Sequence, residues 1–251
     1  MSTISNQSSP LQGGTRGACS FFRAPASSIV PYKDITLADI YHYITGPYAA
    51  ERTAKLRSID DKKTKGLWKR TKFDYVTFSG TFTRRTDSDL VAHSGYLCLD
   101  FDHLDQADFT ENSRVIDGNS RSAEASLRSK GACLENIRRL LLSDPYFETL
   151  LLFTSPSGNG LKWVIPIDLE QCEHRTWFNA VRNYLAATYH LDADPACVNV
   201  SRSCFLPHDP DCYIAPRLLP ELAPAIEANS AVEDLMVALG ATNIEIKSIN
   251  D

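Results

Sequence analysis

The chain has 251 residues, 43% of them hydrophobic and 23% charged, the balance of an ordinary globular protein with a real core. Lys plus Arg is 26 and Asp plus Glu is 31, a formal net charge of −5, which excludes a uniformly basic nucleic-acid coat but permits a local basic groove. No apolar run reaches the ~18 residues that cross a membrane, and MSTISNQSSPLQGG lacks the blocks of a secretion signal, so a cytoplasmic address with no membrane partner is expected.

Residues 1–28 are rich in Ser, Gly and Gln and lack periodicity, which predicts a disordered or loosely attached arm. Thr36 and Asp39 form a capping box ahead of Ile40 and Ile44, so a helix starts there and stops near Gly46-Pro47. Residues 52–72 carry nine Lys or Arg against Asp60 and Asp61, the one clearly basic stretch of an acidic protein. Strand signals follow at Tyr75–Phe78 and Thr81–Thr83, then at Gly95–Asp102, whose apolar run predicts a buried central strand. Residues 104–122 read as a polar loop. A helix carrying Leu134, Ile137 and Leu141 ends before Asp144-Pro145. Strands over 150–154 and 161–167 flank a turn with a hairpin signal at Asn159-Gly160. An amphipathic helix carries Trp177, Val181 and Leu185, a strand is expected over 197–206, and a last helix is capped by Ser230 and Glu233. The seven cysteines form no C-x-x-C and read as reduced thiols, several filling the core. A zinc site from Cys197, Cys204, Cys212 and His208 lacks the close paired spacing such sites use.

Three constellations carry chemistry. In Leu99-Asp100-Phe101-Asp102, strand alternation sends Leu97, Leu99 and Phe101 to the core and both acids to the other face. Two such carboxylates repel unless a cation compensates, and Mg²⁺ or Mn²⁺ is the simplest one; two exposed acids at a strand end are the plainer alternative. In Ser155-Pro-Ser-Gly-Asn-Gly-Leu-Lys162, small residues let backbone N–H groups approach a phosphate, with Lys162 beside it facing away from the core. The alternative is a tight hairpin with a surface lysine. In the third, Asp194 precedes the expected strand and Arg202 lies within it, where it needs Asp194 or a phosphate as partner.

In this order the three signals resemble the archaeo-eukaryotic primase (prim-pol) superfamily and, more closely, the VirE N-terminal domain family of bacterial mobile and replicative elements. The likeness runs from Pro31 to Tyr213 through FDYVTFSGTFTRR, HSGYLCLDFDH, DPYFETLLLFTSPSGNGLKWVIPID and DPACVNVSRSCFLPHDP. The resemblance implies an α/β (α+β) fold, with an N-terminal α/β unit packed on an RRM-like core around a mixed sheet. It implies a prim-pol-like domain over 29–216, and the helix capped by Ser230 and Glu233 makes 217–251 a helical tail. It assigns Asp100, Asp102 and Asp194 to catalysis and to Mg²⁺ or Mn²⁺. It assigns Ser157, Gly158, Gly160, Lys162 and Arg202 to nucleotide phosphates, with lysine standing where many primases have histidine.

The expected function is therefore a metal-dependent nucleotidyltransferase of primase-polymerase type, acting in replication of a mobile or bacterial element. Its partners would be nucleoside triphosphates and single-stranded or primed DNA, held by Lys62, Lys63, Lys65, Arg84 and Arg85, with a helicase-like domain in a longer chain as a further partner. Two alternatives stay open: a non-catalytic single-stranded nucleic-acid-binding module of the same fold, and a metal-dependent nuclease.

Overall fold

The computed structural model describes residues 17–102, Leu104 and 123–219, with side chains from Cys133 onward in the last segment. It is a mixed α and β protein in which two four-stranded sheets stack face to face, with two helices on the outer face of the second sheet.

The first sheet has the order β2-β1-β3-β9, built from β1 (Cys19–Phe22), β2 (Lys33–Ile35), β3 (Tyr75–Thr77) and β9 (Cys204–Phe205). A helix α1 (Leu37–Thr45) covers it through Leu37, Ile40 and Ile44. As expected, Thr36 caps α1 with a full capping box to Asp39, and Gly46 ends it. The expected arm is corrected here. Residues 17–28 belong to the body, because the short apolar run Cys-Ser-Phe-Phe is buried and pairs on both sides as β1. Residues 1–16 lie outside the described residues.

The second sheet has the order β10-β7-β8-β6, from β6 (Tyr96–Phe101), β7 (Leu151–Thr154), β8 (Leu161–Pro166) and β10 (Tyr213–Ile214). Two helices, α4 (Ala123–Leu142) and α5 (His174–Tyr189), lie on its outer face. The succession β6-α4-β7-β8-α5-β10 is of the β-α-β-β-α-β kind. Strand alternation sorts the residues into two cores. Leu97, Leu99, Phe101, Leu161, Trp163 and Ile165 meet α4 and α5, while Phe153 and Val164 meet the first sheet. The fully buried Trp163 donates its indole N–H to Thr149 Oγ1 at 2.7 Å, so its polar atom is satisfied.

Three further expectations change. Every described strand pairing is antiparallel, so no mixed sheet forms among the described residues. The strand at 96–101 is buried but stands at the edge of its sheet; the Asp194 N–H covers its free side by donating to the Asp100 carbonyl at 2.8 Å. The expected strand over 197–206 shrinks to Cys204–Phe205, because Asp194 accepts the Ala196 N–H and starts a 3₁₀ turn at Pro195–Val198.

The basic stretch folds as α2 (Ala50–Arg57) and α3 (Lys62–Lys72), the latter capped by Asp61. A two-stranded ribbon, β4 (Gly80–Phe82) with β5 (Leu90–His93), completes the body. The described part of the tail is anchored: Arg217 holds Glu148 with two bonds of 2.7 Å, and Leu218 and Leu219 pack on the core. The helix expected from Ser230 and the loop at 105–122 lie outside the described residues. No helix among the described residues is long and apolar enough to cross a membrane.

Candidate functional site

Asp100 and Lys162 are direct cross-strand partners in the β6–β8 ladder. Both side chains point between the two sheets, and each residue is only 8% exposed. The Lys162 ammonium forms an ion pair with Asp100 Oδ2, while Asp100 Oδ1 is buried with no hydrogen-bond partner. They line a cavity of about 20 Å³ together with Cys98, Cys197, Cys204 and Arg202. That volume holds about one water molecule. Lysine 162 does face away from Leu161 and Trp163, as alternation requires. The face it occupies is covered by the first sheet, so Lys162 is buried and the alternative of a surface lysine does not hold.

Asp194 reaches the same place. Ligand atoms of Asp100, Asp194 and Cys197 lie within 4.8 Å of one another. Two of the three predicted acids thus converge across almost a hundred residues of sequence. Asp102 does not join them: it is exposed, one residue beyond β6, and outside that group. Because β6 ends at Phe101, strand alternation does not carry over to Asp102. Arg202 lies in the turn before β9 and pairs with Asp194 Oδ2 at 2.5 Å, so Asp194 supplies the partner this arginine needed.

The charges of the site balance inside the protein. Lys162 neutralises Asp100 and Arg202 neutralises Asp194, with the other Asp194 oxygen capping the 195–198 turn. Burial pulls the Lys162 ammonium below its usual range, and the neighbouring Cys204, Cys98 and Cys197 sulfurs oppose that pull. The Cys98 and Cys204 thiols hydrogen-bond to each other, which raises Cys98 and lowers Cys204. The Lys162, Arg202 and Lys69 cations lower Cys204 further, against its burial. Burial first of all lifts the Cys197 thiol to about 12. A hard Mg²⁺ or Mn²⁺ prefers oxygen donors. Here a thiol stands in place of Asp102, and both carboxylates already hold internal cations, so the residues do not fit such an ion as arranged. The Cys197, Cys204, Cys212 and His208 zinc set forms no group among the described residues.

The glycine turn is built as a hairpin tip rather than as a cradle open to this cavity. Gly158 has φ +83°, and a Cβ on Gly160 would meet the Phe101 carbonyl oxygen at 2.2 Å. Ser157, Gly158 and Gly160 do not line the cavity, and Arg57 of α2 donates to the Pro156 carbonyl at 3.3 Å. Of the predicted basic residues, Lys62, Lys63 and Arg84 are exposed and Lys65 is half-buried. Arg85 is committed to the fold: it donates to Tyr75 Oη at 3.1 Å and to the Ala26 carbonyl at 3.3 Å. Sequence reasoning gave Cys98 no role and weighed Cys197 and Cys204 only for zinc, not beside these charges. Cys98 was accessible, because it shares the strand face of Asp100.

No curated protein and no solved structure matches the chain. From α4 to β10, over residues 128–214, it matches the family model of the BT4734-like N-terminal domain, a stretch that carries Lys162, Asp194 and Arg202 but not Asp100.

Proposed function

We propose that this chain is a non-catalytic single-stranded nucleic-acid-binding module of prim-pol-like fold, related to the VirE N-terminal family. The observation that carries the reading is the Lys162–Asp100 pair. Where the resemblance puts a metal ion, an ammonium group already compensates the acid, and a cavity of about 20 Å³ admits no triphosphate. Catalysis by the expected residues would need both acids released from their cations. The basic helices α2 and α3 keep the means to hold a phosphate backbone, with Lys62 and Lys63 exposed on an otherwise acidic protein. Cytoplasmic replication of a mobile element, with a helicase-like domain as neighbour, suits such a module.

One observation favours the nucleotidyltransferase as a second reading: Asp100 Oδ1 is buried and unpartnered beside Asp194. A labelled primed template, incubated with protein, Mn²⁺ and both kinds of nucleotide, separates the readings on a denaturing gel. Unchanged length supports the proposal. Extension would establish the polymerase reading, and shortening a nuclease.

A further inference from the structure

A second concavity, open to solvent and about 880 Å³, lies between the turn at Pro47–Ala49, α2 and α3. It shares no lining residue with the acid cavity. Its walls combine two aromatic rings, Tyr48 and Trp68, with Arg52, Lys55 and Lys72, against Glu51 as its single lining acid.

The aromatic platform is held in advance. Tyr48 is 70% exposed, yet its ring stacks on Tyr43 at 5.6 Å and 16°. Tyr43 in turn donates its hydroxyl to Asp74 at 2.6 Å. Arg52 donates to the Tyr48 carbonyl at 2.8 Å, to Tyr43 Oη at 2.9 Å and to the Lys72 carbonyl at 3.0 Å, so it positions the platform. The Trp68 indole N–H donates to the Arg52 carbonyl at 3.2 Å, and the Lys72 ammonium sits 5.8 Å from the Trp68 ring. A ring fixed before binding loses little freedom when a flat partner stacks on it.

We infer that this groove holds one nucleic-acid strand, with a base stacked on Tyr48 and phosphates against Lys55 and Lys72. The inference deepens the proposed function and rests on it. It moves the binding surface from Lys62, Lys63 and Lys65, none of which lines the groove, to Tyr48, Lys55 and Lys72. Every base has a π-face, so this mode tolerates sequence, and the cations add a salt-dependent part.

The test compares fluorescein-labelled oligo(dT) with an abasic strand of equal length, roughly 12 nucleotides, within the usual site size of such proteins. The intact protein should bind oligo(dT) more tightly than the abasic strand. Tyr48→Ala should weaken oligo(dT) roughly 5- to 150-fold, the range of one stacking contact, and leave the abasic strand unchanged. Tyr48→Phe should retain binding, and equal melting temperatures for both variants would exclude a folding cause. Lys55→Ala with Lys72→Ala should lower the salt slope by about 1.4, at about 0.7 per phosphate. If oligo(dT) binds and Tyr48→Ala binds it equally well, the groove is overturned while the nucleic-acid reading stands. If the intact protein binds neither strand, both fall.

Discussion

Replacing Lys162 with Met removes the ammonium and keeps most of the apolar stem. Asp100 would then be a carboxylate at 8% exposure, with one oxygen already unpartnered and the other newly so. Removing one partner of a buried ion pair costs about 3–5 kcal/mol, because the remaining charge has lost its compensation. Total stability of a domain is about 5–15 kcal/mol, so this loss is a large share of it. The double variant Lys162→Met with Asp100→Leu removes both charges and places two apolar groups between the sheets. It should recover most of the loss, since apolar replacement of a buried pair is often neutral or better. Urea denaturation followed by tryptophan fluorescence reads both, with Trp163 next to the site on β8. A single variant within about 0.5 kcal/mol of the parent, the scatter expected of a surface change, would refute the claim that this pair is buried and coupled.

Arg202→Ala provides the contrast: its pair with Asp194 is 44% and 23% exposed, so the loss should stay under about 1 kcal/mol by the same denaturation. Gly160→Ala should cost about 1–3 kcal/mol, because the added Cβ meets the backbone oxygen of Phe101, which cannot yield without moving β6; an unchanged midpoint would contradict the close approach. Burial first, and then the neighbouring His174 ring, push His93 down to about 4. The unfolded chain, at about 6.5, therefore binds more protons, so stability should fall as pH drops from about 6.5 to 4 and level off below. Urea midpoints of His93→Gln should vary less across that window than those of the parent. Replacing Lys62, Lys63 and Lys65 together with Ala should leave the Tyr48-dependent preference for oligo(dT) over an abasic strand intact, measured by anisotropy.

The legible parts of the sequence were those whose signal is local. The capping box at Thr36 and Asp39 set α1, and the apolar runs at 96–101, 151–154 and 161–166 set three strands of one sheet. The strand β1 was missed because its four buried residues follow a polar stretch, and their pairing partners lie elsewhere in the chain. Lys162 shows the limit most clearly. Alternation placed it on the correct face, but no local pattern reveals that a second sheet covers that face. The flanks did hold a clue: Asp100 and Lys162 both sit in apolar runs, and opposite charges in such settings seek each other. Asp102 was misplaced with Asp100 because the expected strand extended one residue too far.

Titration of labelled oligo(dT) with the intact protein, in EDTA and again in Mn²⁺, tests the central claim most directly. Because Lys162 and Arg202 already compensate Asp100 and Asp194, the ion should contribute nothing. The account predicts saturable binding of equal affinity in both buffers, weakening as salt rises. Absence of binding in EDTA, with binding restored by Mn²⁺, would contradict it.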